Sequence, residues 1–363
     1  MGSGGAVANG LEGVVVADTR LSEVDGERGR LIVAGFDVED LAGRVTFEDV
    51  VALLFDGALP GDDRRRAIAA GLAEGRALGH STLERAGDAL GADDAMDALR
   101  TAASHLRPDG EGERAALQAI GALGAFAPAW ARRRQGLAPV VPAADRAHAD
   151  DVLRMLHGEP RDAARVAALD AYLVTVADHG MNASTFTARV IASTRSDLVS
   201  CVVGAIGALK GPLHGGANEA VMHMLEEIAI PDNAKPWLDD ALADGRKIMG
   251  FGHRVYKNGD SRVPAMRAAL GMIAAHRGGQ NLLDIYETLA TAMYEAKGLH
   301  PNLDYPAGPA YHLIGFDTPT FTPIFVAARL PGWTAHIAEQ FAGNSLIRPL
   351  AGYDGPTERS LAK

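Results

Sequence analysis

Three histidines and one aspartate stand where helices must break. They lie in four segments: Asp178-His179-Gly180-Met181-Asn182, Gly211-Pro-Leu-His214-Gly-Gly-Ala-Asn218-Glu219, Met249-Gly-Phe-Gly-His253-Arg-Val-Tyr-Lys257 running on to Arg262, and His300-Pro-Asn-Leu-Asp304. Each puts an ionisable side chain beside Gly or Pro. Glycine permits unusual backbone angles and close approach of a ligand. Loops that carry such side chains are where sites are commonly built. Charge narrows the chemistry. Residues 246–267 hold Arg246, Lys247, Arg254, Lys257, Arg262 and Arg267, with Asp260 as their single acid. A positive segment of this kind attracts anionic small molecules. Arginine forks hold carboxylate or phosphate groups through paired hydrogen bonds. Taken singly, a histidine near glycine is more often a packing or capping residue, and a basic run is more often a solvated face. Four such loops in one chain are harder to assign to packing alone.

The chain as a whole is acidic, with 35 Lys and Arg against 46 Asp and Glu and a net charge of −11. That argues against a nucleic-acid partner bound through bulk charge. Cys201 is the single cysteine, so a disulfide framework and a Cys-rich zinc site are excluded within one chain. No phosphate loop, nucleophile elbow or His-Glu-x-x-His helix occurs. The run Gly250-Phe-Gly252-His-Arg-Val255 starts like a dinucleotide fingerprint but lacks the third glycine and a preceding strand. No His pair has metal-ligand helical spacing, so no metal is expected. Leu198–Leu209 is the longest nearly apolar stretch, well short of the roughly 20 residues of a membrane span. Met1–Gly10 has neither a basic region nor a long apolar core, so it does not read as a signal peptide. A cytoplasmic protein with no membrane partner is expected, in which the sequon Asn182-Ala-Ser184 carries no meaning.

The elements that must position these loops read mostly as helix. The length of 363 residues fits one large or two ordinary domains. An Ala-rich chain with 42 Gly suits close-packed helices punctuated by Gly-rich turns. Residues 1–10 are expected to be a disordered tail. Gly13–Asp18 and Arg30–Ala34 flank the polar stretch Ser22–Gly29 and predict a short β-hairpin. Thr46-Phe-Glu-Asp49 is a capping-box start and Gly57 a stop. Further helices are predicted over 63–77, 93–105, 113–131, 145–156, 161–178, 197–209, 217–229, 262–276, 282–297 and 334–342. The least regular stretches are 107–112, 136–144, 210–216, 249–260 and 299–323.

At these residues the sequence resembles the citrate synthase family, over about Leu11 to Gly355. Gly-Pro-Leu-His214-Gly-Gly-Ala-Asn, Met-Gly-Phe-Gly-His253-Arg-Val-Tyr and Pro-Asn-Leu-Asp304 match its three signatures in order. Leu11-Glu-Gly-Val-Val-Val-Ala, Gly35-Phe-Asp-Val-Glu-Asp-Leu, Gly332-Trp-Thr-Ala-His336 and Ile347-Arg-Pro349 add to the match. The resemblance implies a mainly all-α fold: a large helical domain (11–216 and 311–363) and a smaller inserted one (217–310). It implies a homodimer that condenses acetyl-CoA with oxaloacetate, or propionyl-CoA in 2-methylcitrate synthases. Asp304 would be the base at the acyl methyl group, His214 the donor to the thioester oxygen, and His253 the donor to the ketone oxygen. His179, Arg262 and Arg329 would hold the oxaloacetate carboxylates, with Arg348 reaching over from the second subunit. Lys247, Gly252, Arg254 and Lys257 would meet CoA, a co-substrate; no tightly bound cofactor is implied.

The chain departs from the pattern at two places. Ser261 stands where family members often have Pro, which implies a less rigid loop. Tyr305-Pro306-Ala307-Gly308 follows the aspartate where Phe-Tyr-Ser-Gly is common, so Pro306 bears on acyl-CoA preference. The extra N-terminal domain of the large NADH-inhibited hexameric members is missing, so a simple dimer is expected.

Overall fold

The computed structural model describes residues 9–11, 13–212, 214–253, 255–357 and 359–361. Of the expected tail, residues 1–8 lie outside them, and Asn9–Leu11 forms a single 3-10 turn. A three-stranded antiparallel sheet follows: β1 (Ser22–Asp25), β2 (Arg30–Val33) and β3 (Phe36–Asp37), in that spatial order. Ser22 pairs with Val33 and Asp25 with Arg30. The hairpin therefore exists, but its first strand is the polar stretch and not Gly13–Asp18. The 13–18 segment pairs with no strand, and Val14 and Val15 are exposed. Leu31 and Val33 of β2 supply the apolar face, and Ser22 and Val24 of β1 lie against the His179 loop.

Helices make up the rest. They are α1 (Val38–Leu41), α2 (Phe47–Asp56), α3 (Asp62–Arg85), α4 (Ala95–Ser104), α5 (Gly112–Arg134), α6 (His148–His157), α7 (Ala163–Val176) and α8 (Ala183–Ser193). Then come α9 (Leu198–Leu209), α10 (Ala217–Ile228), α11 (Ala234–Ala243), α12 (Arg262–Arg277), α13 (Gln280–Lys297), α14 (Asp304–Ile314) and α15 (Phe321–Ala342). The capping box at α2 forms as read: Thr46 Oγ1 accepts from Asp49 N–H and the Asp49 carboxylate accepts from Thr46 N–H. Gly57 ends the helix at φ 73. Helix α5 is buried along its length from Ala115 to Ala131. It lies against α3 at a small-residue seam, where a Cβ on Gly121 would stand 2.2 Å from the Leu72 carbonyl oxygen.

Five helices differ from expectation. Helix α3 runs on to Arg85, α8 and α11 were unforeseen, and 299–323 contains all of α14. Helix α15 begins at Phe321, 13 residues before the expected 334. Proline explains the last two. Pro306 and Pro323 fall in the first turn of their helices, where the missing N–H has no helical partner anyway. Pro331 lies inside α15, and there Gly332 N–H turns out of the helix to the Ala177 carbonyl at 3.0 Å. That bond ties α15 to the chain just beyond α7, next to His179.

Helices α10 to α14 pack on one another, and α7 lies against both α12 and α14. One large apolar cluster runs through these helices and through α3, α5 and α15. A second, smaller cluster joins the sheet to α1, α2 and the end of α7. Both clusters therefore meet α7, which delivers His179 to the site. No helix among the described residues is long and apolar enough to cross a membrane.

Candidate active site

The site is assembled from four helix breaks, and backbone contacts fix each one. His179 follows α7 and precedes Asn182, the N-cap of α8. His214 sits in the α9–α10 turn, with its N–H on the Gly211 carbonyl at 2.9 Å. The His253 loop before α12 is laced to the segment that precedes α14. Gly252 N–H donates to His300 O at 2.9 Å, Asn302 N–H to Gly250 O at 2.8 Å, and Asn302 Nδ2 to Gly252 O at 2.8 Å. Asn302 Oδ1 in turn accepts from Asp304 N–H at 3.1 Å. His253 and Asp304 are thus held through one asparagine.

The hydrogen-bond pattern sets the His253 tautomer and holds the other two rings. His253 Nδ1 accepts from Val255 N–H at 3.1 Å and Tyr256 N–H at 3.2 Å. An acceptor carries no proton, so the ring proton of neutral His253 lies on Nε2. His214 Nε2 is 2.8 Å from Ser184 Oγ. That hydroxyl accepts the Trp333 indole N–H at 3.2 Å. It also donates to Asn182 Oδ1 at 2.7 Å, an oxygen that takes the Ser184 and Thr185 amides as well, so the hydroxyl ties the His214 ring to the N-cap of α8. His179 Nε2 is 2.9 Å from the Tyr256 hydroxyl, and the His179 and His253 rings meet edge to face at 5.8 Å.

Burial and positive charge keep all three rings neutral. Burial, then Arg262 and Arg329, hold His179 well below the ordinary histidine range. Burial, then Arg329, puts His214 at about 4. Burial and Arg262 lower His253. Asp304 goes the other way. Burial pushes its carboxyl up to about 6, against the pull of Arg262 and Arg329 and with that of Asp260. Its side chain keeps part of its surface open.

The two buried arginines are fixed differently. Arg262 grips Asp260 through Nε at 2.8 Å and Nη2 at 2.6 Å, while Asp260 also accepts from Leu303 N–H at 3.1 Å. Arg329 donates from Nε to the Val176 carbonyl at 2.6 Å, and burial lowers its pKa to about 10. The interactions of His179, His214, His253, Arg262, Arg329 and Asp304 place them around one site.

Of the other expected residues, Gly252 and Lys257 lie on the loop that carries His253. Arg348 is exposed beyond α15, with no hydrogen bond or ion pair among the described residues. Lys247 and Lys257 are exposed, Gly252 is half-buried, and Arg254 lies outside the described residues. The basic segment is partly neutralised within the fold, since Arg246, Arg262 and Arg267 pair with Glu227, Asp260 and Glu287. Among the described residues no group of three metal-ligating side chains occurs. Sequence reading missed Ser184, Tyr256 and Asn302. Ser184 belongs to the sequon set aside as meaningless; in the fold, Asn182 caps α8 and Ser184 supports His214.

The profile described as "Citrate synthase, C-terminal domain" matches residues 10–350. The chain belongs to the citrate synthase family. It is an enzyme of that family, an acyltransferase. A 2-methylcitrate synthase of Mycobacterium tuberculosis is 47% identical over 98% of this chain and 92% of its own length. A citrate synthase of Mycolicibacterium smegmatis is 45% identical over 98% of this chain and 97% of its own. Among solved structures, citrate synthase from Thermotoga maritima aligns at a TM-score of 0.86 with 34% identity, covering 98% of each chain. The ternary complex of Thermoplasma acidophilum citrate synthase with carboxymethyl coenzyme A and oxaloacetate aligns at 0.88 with 30% identity, again covering 98% of each. The mainly helical fold with its small N-terminal sheet agrees with these relatives.

Proposed function

We propose that this citrate synthase-family enzyme condenses acetyl-CoA with oxaloacetate and water to give citrate and CoA, and that the six clustered residues divide the work. The observation that carries this is the pairing of a carboxyl at about 6 with two neutral histidines, each with its ring held by fixed partners. Asp304, as carboxylate, takes a proton from the methyl carbon next to the thioester. His214 donates to the thioester oxygen, where negative charge develops. The enol carbon then attacks the oxaloacetate ketone. His253 Nε2–H donates to that oxygen as it becomes an alkoxide. Water cleaves the resulting citryl thioester and CoA leaves. His179, Arg262 and Arg329 hold the two carboxylates, a task for which buried guanidinium forks are suited. Lys247, Gly252, Arg254 and Lys257 meet CoA.

Three further assignments complete this reading. Helices α10 to α13 and the start of α14 form the smaller domain (217–310), and the rest forms the larger (11–216 and 311–363). The chain works as a homodimer in the cytoplasm, with Arg348 serving its partner's site. The exposed Leu346, Leu350 and Tyr353 around Arg348 support a partner on that segment.

A second reading, 2-methylcitrate synthesis from propionyl-CoA, draws support from relatives of both names at nearly equal identity. The two substrates differ by one methylene, worth about 1–3 kcal/mol in a pocket. Pro306, buried in the first turn of α14 beside Asp304, is the departure that bears on this choice. Thiol release with oxaloacetate tests both readings through kcat/KM for each acyl-CoA. No CoA release with either would overturn the reading, and a higher value with propionyl-CoA would favour the second.

A further inference from the structure

The β1–β2 hairpin grips both sides of the oxaloacetate end of the site. On one side Ser22 Oγ donates to Asp178 Oδ2 and accepts from Gly180 N–H at 2.9 Å. The two bonds straddle His179. On the other side the turn 26–29 lies flat on the loop that joins His253 to Arg262. Lys257 N–H donates to Gly26 O at 2.9 Å, Ser261 N–H to Gly29 O at 3.0 Å, and Asn258 Nδ2 to Glu27 O at 2.9 Å. Leu31 N–H donates to Ser261 Oγ at 2.9 Å.

The fit leaves no room for a side chain at either glycine of the turn. A Cβ on Gly26 would stand 2.3 Å from Val255 O, and one on Gly29 would stand 2.6 Å from Gly259 O. Gly29 also has φ +68, which disfavours any larger residue. Ser261 takes on a role that proline could not fill. It gives an N–H and offers a hydroxyl oxygen to the hairpin, so this loop is anchored by hydrogen bonds instead of by ring stiffness. The His179–Tyr256 contact closes the circuit between the two loops.

The two loops come from different helix pairs, α7–α8 and α11–α12. A two-stranded ribbon bonded to both fixes their separation. We infer that the hairpin sets the spacing between His179 and the His253–Arg262 loop, with Ser22 and Ser261 as positioning residues for oxaloacetate. The thioester end, His214 and Asp304, takes its support from Ser184 and Asn302 instead. This inference rests on the assignment of the His179 end to oxaloacetate.

The experiment compares Ser22→Ala, Ser22→Thr and Ser261→Ala with the unaltered enzyme. Loss of the supporting bonds is expected to raise KM for oxaloacetate about tenfold in both alanine variants, with kcat and the acyl-CoA KM within about twofold. Ser22→Thr keeps the hydroxyl and should restore most of the loss. An unchanged oxaloacetate KM, a parallel rise in both KM values, or no rescue by threonine overturns the inference. Hydrogen–deuterium exchange supplies a readout that needs no activity. Ser22→Ala should speed exchange in residues 255–262, and unchanged protection there also overturns it. If the unaltered enzyme releases no CoA yet the exchange coupling is present, the functional reading fails while the bracing stands.

Discussion

Asp304 occupies the first position of α14, with Arg262 and Arg329 acting on it and part of its surface open. A base at about 6 is ionised at neutral pH and still accepts a proton readily. The sign of its pH dependence follows. In the proposed mechanism the carboxylate is the working form, so kcat/KM should be level above pH 7 and fall about tenfold per unit below about 6. The histidines, already neutral, add no loss on the alkaline side. Asp304→Asn should lower kcat by about 10²–10⁴-fold while the fold persists, measured by thiol release and circular dichroism. The same raised pKa has a stability counterpart. The folded state holds the Asp304 proton more tightly than the unfolded chain, so ionisation destabilises the fold as pH rises from the ordinary carboxylate range through about 6. Asp304→Asn should therefore melt above the unaltered enzyme at pH 8, with the gap closing towards pH 4. A lower melting temperature at pH 8 would contradict the burial argument. Ser184→Ala probes the support of His214. Without its hydroxyl no other described side chain bonds the His214 ring, and kcat should fall about 10–100-fold with oxaloacetate KM unchanged.

Helices hold these groups through contacts that local patterns reveal unevenly. Close approach of α3 and α5 depends on a seam with no room for side chains. A methyl on Gly121 would meet Leu72 O at 2.2 Å, Arg76 N at 2.7 Å and Gly75 Cα at 2.8 Å, all backbone atoms that cannot swing away. Gly121→Ala should destabilise the enzyme by about 1–3 kcal/mol, read as a drop in the denaturant midpoint. Sequence reading assigned glycine mainly to turns, because a helix-packing glycine is visible only when its neighbour is known. The α2 cap was legible because Thr46 and Asp49 bond within one turn. Helix α14 and the start of α15 were not, because whether a proline breaks a helix depends on where the first turn falls. His179, His214, His253 and Asp304 stood out because each sits at a break in helical pattern. Ser184, Tyr256 and Asn302 stayed hidden because they act on residues 30, 77 and 50 positions away or more locally through loop geometry. The polar strand β1 was read as a loop for a related reason: Ser22 is polar to serve Asp178 and Gly180, a contact 156 residues distant.

At the scale of the whole molecule, the site lacks one expected part. Arg348 leaves α15 on an exposed segment, anchored before it by Asn344 Nδ2 on the Ser193 carbonyl at 3.1 Å and by Ile347 N–H on Ser193 Oγ at 3.0 Å, and its own side chain bonds to no described residue. Leu346 and Leu350 beside it are 58% and 89% exposed. Apolar and cationic side chains displayed together in this way suit a second copy of the chain. A homodimer should run at twice the 38.0 kDa chain mass in light scattering. The sharper test is complementation. Arg348→Ala and Asp304→Asn should each give nearly inactive homodimers, one lacking the donated arginine and the other the base. In a mixed dimer, the Arg348→Ala subunit keeps its own Asp304 and receives an intact Arg348 from its partner. One of its two sites then works, and random pairing makes half the dimers mixed. Co-expression of the two variants should therefore recover about a quarter of full activity, the share that two-fold symmetry assigns to one working site in half the dimers. Recovery near zero, with mixed dimers shown to be present, would mean that Arg348 does not act across the interface.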